Sequence, residues 1–157
     1  MSKIKITLPA VLLLCINICN GQRVIDEYLV RFVPAAKELS LQYGIPAAII
    51  LGVSILESGS GTSRNCKQLN NYFGITGRNR LKKRHSAYKQ YATAEDSFTD
   101  FCNIVSRKNY YPGLKNNMNY QKWLVAMNHG SYAGAKGIWI SRVTSIIKKQ
   151  NLPLYDK

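Results

Sequence analysis

The chain has 157 residues, with 22 Lys plus Arg against 8 Asp plus Glu and a formal net charge of +14. That length argues for one domain with at most a short appendage and leaves little room for a second. The charge does not choose a fold, but it favours polyanionic partners such as nucleic acid, an anionic lipid surface or an anionic cell wall.

Met1 to Asn20 opens with Lys3 and Lys5, runs apolar through Leu8, Ala10, Val11, Leu12, Leu13, Leu14 and Ile16, and reaches small or polar residues at Asn20 and Gly21. A positive start, an apolar middle and a permissive cleavage site are the layout of a secretory signal peptide. The apolar run is shorter than the roughly 20 residues of a spanning helix. Residues 1–21 are therefore expected to be a leader and 22–157 one exported domain, periplasmic or extracellular, without a stable membrane span. Two other readings stay open: a lipid on Cys15 or Cys19, although neither follows small residues, or a short anchor that is retained. Export makes a cell wall the expected polyanion, rather than nucleic acid.

The remaining chain reads as mostly helical. Val24, Ile25, Tyr28, Leu29 and Phe32 recur at helical spacing, and Pro34 is expected to stop that helix or to start the next one. Residues 34–43 continue helical to Gly44, a residue suited to a helix C-terminus. From Pro46 to Glu57 the sequence is apolar on every side, which marks a buried helix. It exits at Ser58-Gly59-Ser60-Gly61, and Thr62 or Ser63 can cap a short helix through about Leu69. Asn71 to Tyr91, with Phe73, Ile75, Tyr88, Tyr91 and a basic stretch from Arg78 to Arg84, predicts a small β-hairpin with a long loop. Thr93 to Asp96 resembles a capping box, and Phe98, Phe101, Cys102 and Val105 share one face of the helix after it. Residues 106–118 read as a loop. Tyr120–Asn128 and about 137–150 read as helices, with Trp123, Leu124 and Met127, then Trp139, Val143, Ile146 and Ile147, facing inward. Outside the leader only Cys66 and Cys102 remain. They can pair as a disulfide in an oxidising compartment or stand as two buried thiols.

With so few carboxylates, each can be asked for its purpose. Asp26, Glu27, Glu95 and Asp96 sit where helix starts favour negative charge. Glu38 and Asp100 lie off the apolar stripes, and Asp156 is in the tail. Glu57 alone ends an apolar helix. Desolvation and the negative end of the helix dipole both disfavour its charge there, so a buried Glu57 would hold its proton and could act as a general acid. The alternative is a glutamate that simply reaches solvent at the helix end. Such an acid suits protonation of a glycosidic oxygen, and Tyr72, Phe73, Tyr88, Tyr91, Tyr110, Tyr111 and Tyr132 supply rings for sugar platforms or for ordinary packing. His85 and His129 are isolated, so no zinc site is indicated. No phosphate-binding loop or nucleophile elbow occurs, and no cofactor is expected.

The segment Ile55-Leu56-Glu57-Ser58-Gly59-Ser60-Gly61-Thr62-Ser63, followed by Asn70-Asn71-Tyr72-Phe73-Gly74-Ile75, resembles glycoside hydrolase family 73, the flagellar-type and autolysin-type glucosaminidases. The likeness continues from Tyr91 to Phe101, at Gly130-Ser131-Tyr132-Ala133, and from Ile146 to Asp156. It implies a lysozyme-like fold, mainly α, with a helical lobe, a small β-hairpin lobe and a cleft between them. It implies hydrolysis of β-1,4 links between N-acetylglucosamine and N-acetylmuramic acid in peptidoglycan; separately, a monomer is expected. It places the catalytic acid at Glu57, a tyrosine of the active site at Tyr132, and the cleft wall at Asn71, Phe73 and Gly74, with Tyr91 as a further substrate contact. Ser131 departs from the family's Gly-Tyr-Ala pattern. So does the lack of any Asp or Glu from Ile75 to Thr93, where several members carry a second acid. The rival readings are a lytic transglycosylase of the same fold and a non-catalytic wall-binding protein.

Overall fold

The polypeptide folds mainly into helices. A computed structural model describes residues 8–81, 86–130 and 137–156, with residues 8–20 described by backbone alone. In chain order the elements are α1 (Leu8–Tyr43), α2 (Ala47–Ser58), α3 (Arg64–Leu69), α4 (Ala94–Ser106), α5 (Tyr111–Leu114), α6 (Tyr120–His129) and α7 (Ile138–Lys149). A 3-10 turn follows at Leu152–Tyr155. Among the described residues no helix is long and apolar enough to cross a membrane.

The all-apolar run from Pro46 becomes α2, the axis of the core. Ala47 to Ile55 and Ser58 are buried, and only Leu56 and Glu57 reach the surface. Packed around it are α1, α6, α7 and the 3-10 turn. They contribute Tyr28, Phe32 and Ala36, then Leu124 and Met127, then Val143 and Ile147, and finally Leu152. On the far side of α1, α4 adds Phe98, Phe101, Cys102 and Val105. Each large aliphatic side chain removed from water in this way contributes about 1.5–3 kcal/mol. Gly52 sets the spacing of α2 and α7. A Cβ there would meet Ile147 Cγ1 at 2.7 Å and Val143 Cγ1 at 3.4 Å, so α7 comes closer than a larger residue would allow.

A buried helix still has polar ends that need partners. Pro46, at the N-cap, makes no side-chain cap. The amide of Ala48 instead donates to Asp156 Oδ1 at 2.9 Å, and the Ala47 amide bonds to the same carboxylate. A residue more than 100 positions downstream therefore caps α2. Burial pushes the Asp156 carboxyl above its ordinary range, against the pull of the two amides. At the other end Gly59 takes the left-handed conformation, φ 59°, and its N–H meets the Ile55 carbonyl, a conformation that glycine adopts without strain. The Ser58 hydroxyl donates to the Ser54 carbonyl at 2.6 Å and accepts the Gly61 N–H at 2.9 Å.

The helix caps follow the sequence. Ser63 accepts from the Cys66 amide to start α3, and Thr93 and Asp96 form the reciprocal capping box of α4. Three expectations change, and the cysteines take one of the two states left open. Pro34 does not divide two helices but lies inside α1. Proline deprives only the Val30 carbonyl of its N–H, Val30 is exposed, and the buried Phe32 and Ala36 hold the helix on both sides of the break. Within the predicted loop 106–118, Tyr111–Leu114 winds one helical turn opened by Pro112. Cys66 and Cys102 are free, buried thiols.

The third change concerns the hairpin. Its two arms pair antiparallel, with Gly77 N–H on the Ala87 carbonyl and Lys89 N–H on the Ile75 carbonyl, both at 2.8 Å. Yet the only pairing is an isolated bridge, Thr76 with Tyr88, and no sheet forms among the described residues. The reason is visible in the acceptors. The Asn71 side-chain amide takes the Ile75 and Lys89 carbonyls, and the Asn79 amide takes those of Ser86 and Tyr88. At the Ile75–Lys89 pair Asn71 takes both the Ile75 N–H and the Lys89 carbonyl, so the second backbone bond of a regular ladder is not made there.

Asp156→Ala should lower the unfolding free energy by about 1–2 kcal/mol, the usual range for a lost helix cap, in chemical denaturation. Asp156→Asn keeps an acceptor and should lose less. The folded carboxyl of Asp156 titrates above its ordinary value of 3.8, so the folded state binds the extra proton in that window. The stability contributed by that proton is full below 3.8 and disappears as pH rises through the folded value. Relative to Asp156→Asn, the wild type should therefore lose stability across that rise.

Candidate active site

Glu57 stands on the last turn of α2, where the helix leaves the core. It is exposed and not, as expected, buried; the core covers Ile55 and Ser58 on either side but not the face that carries Leu56 and Glu57. The protein alone therefore does not supply the desolvation that the sequence argument assumed. It supplies orientation instead. The indole Nε1–H of Trp139 donates to Glu57 Oε1 at 3.0 Å. Trp139 belongs to the first turn of α7 and is 6% exposed, so the donor is held by packing. The close approach of α7 to α2 at Gly52 fixes the spacing over which this bond is made.

The second oxygen, Oε2, faces the segment after α3. A Cβ on Gly74 would lie 3.7 Å from Oε2 and 3.8 Å from Tyr88 Cε1. Gly74 has φ +66°, a left-handed backbone that favours glycine. The carboxylate is thus flanked by an indole on one side and by a glycine and a tyrosine on the other. With one oxygen engaged by a neutral N–H, such a carboxyl group presents the other for proton transfer.

The local fold that places Gly74 comes from the run Asn70 to Ile75. Asn70 ends α3 in the left-handed conformation and its amide donates to the Ala92 carbonyl at 2.9 Å. Asn71 is buried. Its Oδ1 accepts the Ile75 N–H at 3.1 Å while its Nδ2 donates to the Ile75 and Lys89 carbonyls at 2.8 and 2.7 Å. Three bonds from one side chain hold both arms of the ribbon and bend the backbone around Gly74. Phe73, expected on the cleft wall, turns inward. It stacks on Phe101 at 4.2 Å between ring centroids, meets Phe98 edge-on and is 3% exposed. Its work is to anchor Gly74 to α4.

Of the residues expected at the site, Glu57 and Gly74 come together and Asn71 supports them from behind. Tyr91 is also buried, and its hydroxyl donates to Asp100 Oδ2 at 2.7 Å. Lys89 Nζ meets the same oxygen at 2.7 Å. Burial opposes the Asp100 charge, but these two donors prevail and hold its carboxyl below the usual range. Tyr91 therefore ties the ribbon to α4. Tyr132 lies outside the described residues. Trp139 is the residue that periodicity assigns only to the core. It is there, but a buried indole N–H also needs an acceptor, and that need is the sequence-level signal pointing to a nearby polar group.

The remaining carboxylates have other positions. Asp96 closes the α4 cap, Glu95 and Glu38 are exposed on α4 and α1, and Asp100 holds Lys89 and Tyr91. Glu27 pairs with Arg23 and Asp26 accepts from Gln22, while Asp156 sits at the opposite end of α2.

Solved structures share this architecture. The catalytic domain of the autolysin Auto from Listeria monocytogenes superposes with a TM-score of 0.71 at 19% identity, covering 98% of this chain and 100% of that one. The peptidoglycan hydrolase of Sphingomonas sp. A1 gives 0.66 at 17%, covering 82% and 91%. The glycoside hydrolase domain of FlgJ from Salmonella typhimurium, C-terminally truncated, gives 0.65 at 20%, covering 81% and 97%. At these identities the likeness is one of fold. No curated protein matches the chain. The profile of the glucosaminidase family, described as mannosyl-glycoprotein endo-beta-N-acetylglucosaminidase, matches residues 33–152, a span that includes Glu57, Gly74, Tyr88 and Trp139. The chain belongs to the glucosaminidase family.

Proposed function

We propose that this glucosaminidase cleaves the β-1,4 link between N-acetylglucosamine and N-acetylmuramic acid in peptidoglycan, with Glu57 as general acid. The carrying observation is the carboxyl group itself, with Oε1 held by Trp139 at 3.0 Å and Oε2 turned toward Gly74 and Tyr88. Structural neighbours that include a peptidoglycan hydrolase and an autolysin support the choice of polymer. In the proposed step the C–O bond breaks as Oε2 delivers its proton to the leaving oxygen. A glycan lying across the exposed carboxyl would displace water and make the proton harder to lose before that moment.

The other half of the reaction has no second acid in the 75–93 segment. We assign it to the N-acetyl group of the substrate. Its carbonyl oxygen attacks the anomeric carbon, and water then opens the resulting ring, returning a proton to Glu57. Tyr132 is proposed to position the reacting sugar. Residues 1–21 are proposed as an export signal and 22–157 as the catalytic domain, working as a monomer at the cell wall.

Three measurements test this reading. Digestion of purified peptidoglycan should release new N-acetylglucosamine reducing ends, and Glu57→Gln should lower the rate by roughly 10²–10⁴-fold while leaving thermal unfolding unchanged. Products lighter by one water would mean a transglycosylase instead. Glu95→Gln and Asp96→Asn should keep turnover once any loss of stability is allowed for; abolished turnover in a folded variant would defeat substrate assistance. Trp139→Phe keeps the buried ring but removes the N–H. It should lower kcat by about tenfold, the worth of one hydrogen bond to a charged group, and shift the pH–rate profile, a change that altered packing alone would not produce.

A further inference from the structure

Beside Tyr91 the ribbon forms an open depression of about 630 Å³ lined by Arg78, Asn79, Arg80, Gln90, Tyr91 and Ala92, a size that suits a small ligand or a segment of a larger one. No Asp or Glu occurs from Ile75 to Thr93, and Lys89 is occupied by Asp100. Among the described residues neither Arg78 nor Arg80 has an acidic partner, and both are exposed. The backbone that carries them is nevertheless held. The Arg80 N–H donates to Gln90 Oε1 at 3.0 Å, and the Arg78 carbonyl accepts the Gln90 N–H at 3.0 Å. The Asn79 amide, between them, bonds the Ser86 and Tyr88 carbonyls. Two guanidinium groups on a fixed base are a receptor for carboxylates, which they bind through paired N–H donors.

The depression and the glycine that Glu57 faces are linked through Tyr88 of the same ribbon. Asn79 grips the backbone of Tyr88, and the Tyr88 ring borders the space over Gly74 that Glu57 Oε2 faces. A peptide stem that runs from a glycan at Glu57 along this ribbon would meet the arginines. We propose that Arg78 and Arg80 bind the carboxylates of the peptide stems that peptidoglycan carries, so that the enzyme distinguishes peptide-bearing from bare glycan. This inference rests on the peptidoglycan reading above and adds a specificity site to it.

The test compares wild type with the double variant Arg78→Gln/Arg80→Gln on two substrates, both freed of phosphate-bearing wall polymers: peptide-bearing glycan strands, and the same strands stripped of peptide by an amidase. The double variant should lose about tenfold in kcat/KM on peptide-bearing strands, through KM, as expected for a lost charge-assisted contact at an exposed site. On stripped strands it should stay within about twofold of wild type, which also serves as the folding control. An undiminished rate on peptide-bearing strands would overturn the proposal. So would an equal loss on both substrates, because stripping frees the lactyl carboxylate of the sugar and the arginines would then be reading the glycan. A wild type that cleaves neither substrate would overturn the hydrolase reading together with this one.

Discussion

The structure depends on burying one helix that has no polar side. α2 must be covered on every face, so α1, α6, α7 and the final 3-10 turn gather around it. Burial leaves two problems that side chains of α2 cannot solve, because nearly all of them are aliphatic. The free amides of its first turn need an acceptor, and the carbonyls of its last turn need donors. Asp156 answers the first from the end of the chain. The Gly59 and Ser60 N–H groups on the Ile55 carbonyl and the Ser63 N–H on the Ser58 carbonyl answer the second within a few residues. Only one face of the last turn is left open, where Leu56 is half-buried and Glu57 is exposed.

Placing the proposed general acid there has a mechanical advantage. The helix beneath it is fixed by packing on all sides, so the Glu57 backbone has little freedom, while the carboxyl group itself stays open to a polymer. The remaining freedom is in the side chain, and Trp139 restrains it from a helix whose distance is set by Gly52. On the opposite side Asn71 uses three hydrogen bonds to shape the backbone at Gly74, and Phe73 locks that shape into the aromatic layer of Phe98 and Phe101. Two rigid walls thus flank one flexible acid.

What the sequence disclosed followed the range of the interaction. Local rules placed α2, the Ser63 cap, the Thr93–Asp96 box and the inward faces of α4, α6 and α7, because hydrophobic period and capping chemistry act over a few residues. Glu57 was legible because it broke an otherwise apolar pattern. Asp156 was not, since its partner lies more than 100 residues away and nothing near it in the chain is unsatisfied. Trp139 was read as core, correctly for its ring and incompletely for its N–H. Phe73 was misplaced because an aromatic residue beside a cleft motif has the same sequence signature whether it faces a sugar or the core. The ribbon falls short of a sheet because Asn71 takes the Ile75 N–H and the Lys89 carbonyl, which a ladder would pair with each other, and periodicity carries no sign of that.

The exposure of Glu57 changes the argument about its proton more than its place in the mechanism. A buried acid would keep its proton at all times and would be shielded by the protein. An exposed one that is oriented by a neutral indole depends on its substrate for the same effect: a glycan that covers it removes the water that stabilises its charge. Binding and acidity are then coupled, and a group that strengthens binding near the cleft also helps to keep the acid protonated. The arginines of the ribbon would enter this arrangement through binding: a carboxylate that they hold keeps the strand over Glu57, and with it the cover that the protein leaves out.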